Sequence, residues 1–429
     1  MTPEGLAAAL ALGAGFALFC FAGMSRAVWL FTALAWLPVG LIPLRGNQQV
    51  EHLLAVEVLA TVLCLVWWLR RQTPAADRLL PTSFNRPLLA LVVVSLISLA
   101  SGMLWLDRGV PGSNVRLTVS VGQVLLIAWP IGVYFTVANT VRDELWARRI
   151  RTTFVVLALP SLLHPVMKSV LPLDWSVHIA VVAGPLCLAN LLERRWTPWS
   201  FVDALVAASP IVAGMADHKA YWYIAGGTST ATILFLRWPR FTVGLASASV
   251  VALAASMVVW NDPLAPPLRA LVTGEVVQQS IGGQYGRLRL ATDAVRLWTG
   301  YPLFGVGPGN MWPYMHTYSV LDTTHNQYTN ILLELGVAGL ACVLAFIAGA
   351  FRTGLRLRRR LETPFARTLA LGWIGLFAGT VVGGLTGDVM LPSIRNSGLA
   401  AFGFIYPQWV VLGLLVGLAR IDGAARRVE

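Results

Sequence analysis

Long apolar runs follow one another along nearly the whole chain, parted by short breaks rich in Arg, Pro and Gly. A helix needs about 20 apolar residues to cross a bilayer, or somewhat fewer where the bilayer adapts. On that measure the candidate spans are Leu6–Phe21, Val28–Leu44, Leu53–Leu69, Leu88–Leu106, Leu117–Asn139, Thr152–Leu171, Val177–Leu192, Phe201–Met215, Tyr221–Leu236, Phe241–Trp260, Ile331–Phe351, Leu369–Val389 and Leu399–Leu418. Several are short, and only Gly-Met-Ser-Arg separates the first two. The pattern predicts an all-α polytopic membrane protein with about 12 transmembrane helices, or thirteen if no run is split or re-entrant. The rhythm is interrupted once, over Asn261–Thr324, a connection far longer than any other; long ordered loops usually carry function. The chain thus divides into N-terminal transmembrane helices over 1–260, a large loop with amphipathic helices over 261–324, and C-terminal transmembrane helices with a tail over 325–429. No internal repeat or low-complexity tract interrupts this plan.

Composition excludes a water-soluble fold. The chain has 429 residues, of which 56% are hydrophobic and 12% charged. Average soluble proteins carry about twice that charge fraction, and a core alone cannot hide so much apolar surface. Met1–Gly5 has no positive region and Leu6–Phe21 runs straight into the next apolar stretch, so the N-terminus does not read as a cleaved signal peptide. The net charge of +12 would point to nucleic acid in a soluble protein. Here the excess Arg lies in short loops, where it sets orientation, and no nucleic-acid partner is expected. Arg70–Arg86, Arg142–Arg151, Arg194–Arg195, Arg237–Arg240, Arg352–Arg367 and Arg420–Arg427 mark one side, the cytoplasmic one. The opposite side receives Asp107–Arg116, Pro172–Ser176, Ala216–Ala220, Asn261–Thr324 and Met390–Ser397, together with both lysines of the chain, Lys168 and Lys219. The four cysteines, Cys20, Cys64, Cys187 and Cys342, all sit in apolar runs, spaced neither for a metal nor for a disulfide framework.

The long outer segment holds the candidate chemistry. Wound as a helix, Gln284–Thr299 places Leu288, Leu290, Ala291, Ala294, Val295 and Trp298 on one face and Arg289, Thr292, Asp293 and Arg296 on the other. Arg289 and Asp293 are spaced for a helix-surface ion pair. Arg287 falls instead near the centre of the apolar face at the helix start. It is read as an anion-holding guanidinium aided by the helix N-terminus, in preference to an arginine snorkelling to water. In Tyr301–Asn310, the Gly-x-Gly-x-Gly spacing lacks a preceding strand and the dinucleotide fingerprint, so a tight turn between two amphipathic helices is favoured over a phosphate loop. Trp312, Tyr314 and Tyr318 are then expected at headgroup level. Thr323 or Thr324 is a candidate N-cap for the next span. His325 would lie at its outer mouth, and Asn326, Asn330 and Glu334 recur every fourth residue as a polar stripe that must face protein or water.

In order, Gly286-Arg287, Pro302-Leu-Phe-Gly305-Val-Gly307, His325-Asn326 and Glu334-Leu-Gly336-Val-Ala-Gly339 resemble the O-antigen ligase and polymerase family, in which an Arg is followed by Pro-x-x-Gly-x-Gly, His-Asn and Glu-x-Gly-x-x-Gly. The strong resemblance covers Gly286–Leu340. It implies a membrane glycosyltransferase of the bacterial inner membrane with its active site in a large periplasmic loop. The donor would be a glycan on undecaprenyl diphosphate, the ligase acceptor lipid A–core, and the further partners membrane lipids. Neither cofactor nor metal is implied. By the match, His325 corresponds to the family histidine and Arg287 to the loop arginine. The family's Ser-Arg-Gly at the outer end of an earlier span becomes Asp217-His218-Lys219-Ala220 here, so Lys219 takes the arginine's place without its bidentate fork. Asp388 falls where members can carry a needed acid.

The implied chemistry is physically coherent. His325 would take the proton of an acceptor hydroxyl as it attacks the anomeric carbon. The departing diphosphate would be met by Arg287, Lys219 and Arg116, with Asn326, Glu334 and Asp388 in support, and attack opposite the leaving group would invert the centre. The compact chain, lacking the soluble domain of many protein-modifying relatives, places O-antigen ligase ahead of polymerase and of protein O-oligosaccharyltransferase. A lipid-linked glycan flippase remains the alternative of another class; the absence of inverted repeats and the large loop bearing His and Arg speak against it.

Overall fold

The computed structural model describes residues 13–35, 40–45, 50–72, 79–104, 110, 117–164, 174–193, 197–216, 220–244, 247, 287–318, 324, 326–394 and 401–421. After helical residues 13–21, the labelled elements are α1 (Met24–Leu34), β1 (Gly40–Arg45), β2 (Val50–Leu54), α2 (Ala55–Arg71), α3 (Asn85–Leu104), α4 (Leu117–Thr140), α5 (Glu144–Ala158), α6 (Asp174–Glu193), α7 (Trp199–Ala216), α8 (Ala220–Arg237), α9 (Arg287–Trp298), α10 (Met311–Tyr318), α11 (Gln327–Arg360), α12 (Pro364–Gly383) and α13 (Ala401–Ile421). Six of these helices are long and apolar enough to cross a membrane, namely α3, α4, α6, α11, α12 and α13, and α1 and α7 are apolar but shorter. The protein is a multi-pass helical membrane protein.

Where the apolar runs and the helices disagree, proline and glycine are the cause. The run Val28–Leu44 is not one span. Its helix stops at Leu34, and beyond Pro38 and Gly40 the chain forms β1, which pairs antiparallel with β2. Thr152–Leu171 likewise ends its α-helix at Ala158, where Leu159–Leu162 tightens into a 3-10 turn with Pro160 in its first turn. Most of Phe241–Trp260, and 248–286 altogether, lie outside the described residues. By contrast Pro130, Pro185, Pro210 and Pro407 sit inside helices. Neighbouring helices and side chains can satisfy the backbone groups that such prolines free in a bilayer.

Small residues let the helices approach closely. Gly375, Gly379 and Gly383 form one stripe on α12, facing Ile233, Ser229 and Ala225 on α8; a Cβ at Gly379 would lie 2.2 Å from the Ser229 hydroxyl. Aromatic rings fill the wider gaps. Phe346 stacks on Trp409 with centroids 5.3 Å apart, and Trp373 stacks on Phe377 at 4.8 Å. The four cysteines are free, Cys187 buried and the others half-buried.

The bundle has two unlike poles. At one, Arg358 donates to the Leu236 carbonyl (3.1 Å), Arg237 faces Glu193 (3.7 Å) and Arg148 lies over the Phe365 ring (4.6 Å). These are the arginine-rich ends that the sequence places together. α11 runs from this pole to the other, where α9, α10, the glycine-rich segment and the turn after α12 gather around its N-terminus.

Candidate active site

α11 is not continuous. Gly336 adopts φ 67° and ψ −168° and breaks it two residues after Glu334. In an unbroken helix the carbonyls of Leu333 and Glu334 would accept from Val337 and Ala338. Here they accept from Val306 (2.9 Å) and Gly307 (3.1 Å), while Val337 and Ala338 donate to the carbonyls of Pro302 (2.9 Å) and Leu303 (3.2 Å). Pro302–Gly307 is thus spliced into the helix break by four reciprocal hydrogen bonds. The splice requires glycine on both sides. A Cβ at Gly305 would sit 2.3 Å from the Leu333 carbonyl oxygen, and one at Gly336 would sit 2.2 Å from that of Leu303. Ser98 of α3 closes it from the side, its hydroxyl within reach of both the Phe304 (2.6 Å) and Glu334 (2.8 Å) carbonyls.

This geometry decides how the glycine-rich segment is used. Gly305, Gly307 and Gly309 all have positive φ. Such a segment can bind anions only with free N–H groups, yet the N–H groups of Gly305, Val306 and Gly307 all have protein acceptors. It is a packing joint, as the tight-turn reading expected. The joint seats α9 and α10: Leu290, Ala294, Met311, Tyr314 and Met315 are buried with Val306 and Leu333 in a small core of their own. Tyr314, expected at headgroup level, is therefore inside this core, edge-on to Tyr301 at 5.4 Å. Trp312 is half-buried, and the side chain of Tyr318 lies outside the described residues.

The N-terminus of α11 carries a connected polar chain. Asn326, rather than Thr323 or Thr324, is the N-cap, accepting from the N–H groups of Tyr328 (3.0 Å) and Thr329 (3.3 Å). The Thr324 hydroxyl donates to Asn330 Oδ1 (2.5 Å), and Asn330 Nδ2 donates to Asp388 Oδ1 (3.0 Å). Asp388 Oδ2 in turn accepts the Ser393 N–H (3.4 Å). A carboxylate so held stays aimed at the mouth of α11. It comes from the turn after α12, which starts at Gly384 because α12 ends at Gly383 and not, as its apolar run suggests, at Val389.

Of the residues singled out from the sequence, the structure brings Asn326, Asn330 and Asp388 together. Glu334 lies lower on α11, buried, with its carbonyl in the splice. Arg287 is the first residue of α9, in helical register with Leu290 and Ala294 on the buried face; its side chain is outside the described residues. His325, Lys219 and Arg116 also lie outside them, although Thr324 and Asn326 on either side of His325 are both in the polar chain. Sequence reasoning missed Ser98, Gln123 and Gln327. Their signal was available: each is a polar side chain within an apolar helix, where lipid would not tolerate it.

Residues 176–344 match the family model described as O-antigen ligase, a stretch that runs from α6 through the splice and into α11. No curated protein matches the chain. Among solved structures, one chain from a study described as "Structural coordination of polymerization and crosslinking by a peptidoglycan synthase complex" is 16% identical, with a TM-score of 0.42 over 80% of this chain and 98% of that one. Its membrane-length helices make the chain a multi-pass membrane protein, and its residues 176–344 are similar to the O-antigen ligase family.

Proposed function

We propose that this protein is an O-antigen ligase, transferring a polysaccharide from undecaprenyl diphosphate to lipid A–core at the periplasmic face of the inner membrane. The observation that carries this reading is the polar chain Thr324–Asn330–Asp388–Ser393, built at the pole opposite the arginine-rich ends and immediately flanking His325. Such an arrangement suits a base that must meet a sugar hydroxyl arriving from outside. His325 takes the hydroxyl proton as the oxygen attacks the anomeric carbon. Arg287, Lys219 and Arg116 meet the charge that develops on the leaving diphosphate. Asn326, Glu334 and Asp388 support the site, and no step uses a metal. The same reading takes the chain as about 12 spans, with 261–324 as a periplasmic loop between the two sets of transmembrane helices.

The test is the lipopolysaccharide ladder of a deletion strain complemented with wild-type or His325→Ala protein, with the carrier-linked pool assayed in parallel. A ligase deletion loses long chains from lipid A–core while polymerised glycan accumulates on the carrier, and His325→Ala fails to restore them although it inserts normally. Core bearing a single repeat would identify a polymerase instead, and restoration by His325→Ala would remove the histidine from the mechanism.

A further inference from the structure

The turn that carries Asp388 is irregular backbone at the end of a membrane bundle, and its buried N–H and C=O groups need partners. Three helices each supply a glutamine. Gln327 at the start of α11 accepts the N–H groups of Val389 (3.3 Å) and Met390 (3.0 Å) on Oε1, and its backbone N–H donates to the Gly384 carbonyl (2.9 Å). Gln123 of α4 accepts the Ile394 N–H (2.6 Å) and donates to the Pro392 carbonyl (2.9 Å). Gln408 of α13 donates to the Val389 carbonyl (2.9 Å) and accepts the Thr380 hydroxyl (3.1 Å). Every glutamine inside a described helix is used in this way.

The choice of residue has a physical reason. An amide offers backbone groups an acceptor and a donor without bringing a charge into a low-dielectric bundle; Gln123 uses both on this turn, Gln327 its acceptor and Gln408 its donor. Gln123 and Gln327 are 4% and 0% exposed, so neither faces water. Space is reserved as well: a Cβ at Gly384 would lie 2.5 Å from Gln327 Nε2. A turn that only linked two spans would not need such fixing from three directions. A turn that must hold one carboxylate against Asn330 would.

We propose that Gln327, Gln123 and Gln408 are positioning residues that hold the 384–394 turn so that Asp388 keeps its place at the mouth of α11 during glycosyl transfer. The inference rests on the ligase reading, and the two fail separately. The experiment uses the full-length protein with undecaprenyl-diphosphate-linked polysaccharide and lipid A–core. Transfer kinetics and melting temperature are measured for Gln327→Met, Gln327→Glu and His325→Ala.

Gln327→Met keeps the volume and loses both acceptor contacts. We expect kcat to fall at least about tenfold with the donor KM within about twofold, the signature of a lost transition-state arrangement rather than of lost binding. Gln327→Glu keeps an oxygen that accepts both N–H groups in either protonation state, and should return kcat to within about threefold of wild type. Wild-type kcat in Gln327→Met, with His325→Ala inactive, overturns the clamp and leaves the ligase reading standing. A loss in Gln327→Met that Gln327→Glu does not restore also overturns it, because the side chain then only fills space. If Gln327→Met does not fold, Gln408→Met, which releases the Val389 carbonyl, is judged by the same kcat and KM criterion. Normal transfer by His325→Ala overturns the ligase mechanism, while the clamp is still decided by the Gln327 pair.

Discussion

Gly336→Ala tests the splice at its most constrained point. With φ 67° and ψ −168°, Gly336 occupies a region open essentially to glycine alone. Forcing alanine into it costs about 1–3 kcal/mol. The added Cβ would also lie 2.2 Å from the Leu303 oxygen and 2.3 Å from its carbonyl carbon, both backbone atoms, so the 302–307 segment must move. That movement threatens the four reciprocal hydrogen bonds, each worth about 0.5–1.5 kcal/mol net. The joint cost is expected to be at least about 3 kcal/mol, a large share of the marginal stability of a folded protein. The assay is thermal unfolding in detergent, beside Gly227→Ala as the control: Gly227 is helical with nothing near its Cβ position. The control should be neutral or slightly stabilising, because alanine is the better helix former. Gly305→Ala strikes the same joint from the other side, and residues sharing one network do not add. The double variant should therefore cost clearly less than the sum of the singles. A Gly336→Ala shift no larger than that of the control, or full additivity with Gly305→Ala, would refute the splice.

Three further perturbations probe other joints. Ser98→Ala removes the hydroxyl beside the Phe304 and Glu334 carbonyls and should cost about 1–2 kcal/mol, read as a lower melting temperature. Gly379→Val drives a side chain into the Ser229 hydroxyl and the Ala225 carbonyl on α8 and should cost at least about 1–3 kcal/mol, seen as a smaller monodisperse fraction after heating. Arg151→Met leaves Asp203, paired to it at 3.1 Å and little exposed, without its cation; the loss should be about 3–5 kcal/mol and largely recovered in Arg151→Met/Asp203→Leu.

The helices were legible wherever hydropathy and local breakers agreed. α3, α4 and α13 lie almost where their apolar runs do, because lipid and a packed bundle impose the same apolar requirement. Arginine placement was equally readable: the Arg358, Arg237 and Arg148 ends meet at one pole. Hydropathy misled where an apolar stretch contained breakers. Pro38, Gly40 and Pro43 end the helical reading of Val28–Leu44, and the last helical turns expected before Val389 are spent instead on the turn held by the glutamines. A hydropathy sum does not register that turn, since Leu385, Val389, Met390, Leu391 and Ile394 outweigh Asp388 and the backbone groups that need partners.

The site shows a different limit of sequence reading. Pro302-x-x-Gly-x-Gly and Glu334-x-Gly-x-x-Gly look like two chemical motifs, and a glycine-rich loop invites a phosphate. Their positions in the fold give a mechanical reason for both. The carbonyls freed at Gly336 are those of Leu333 and Glu334, and the N–H groups that reach them belong to Val306 and Gly307, so each motif supplies what the other lacks. Neither can be interpreted alone, because the partner lies about 30 residues away and only the break in α11 brings the two into register. The consequence is functional. The outer segment of α11, capped by Asn326 and linked through Asn330 to Asp388, is set off from the rest of the helix by a hinge that four hydrogen bonds lock. A straight helix would let small shifts of the bundle rotate that end. A locked break ties it instead to α9, α10 and Ser98 of α3, so that the polar end of α11 keeps one orientation relative to these elements.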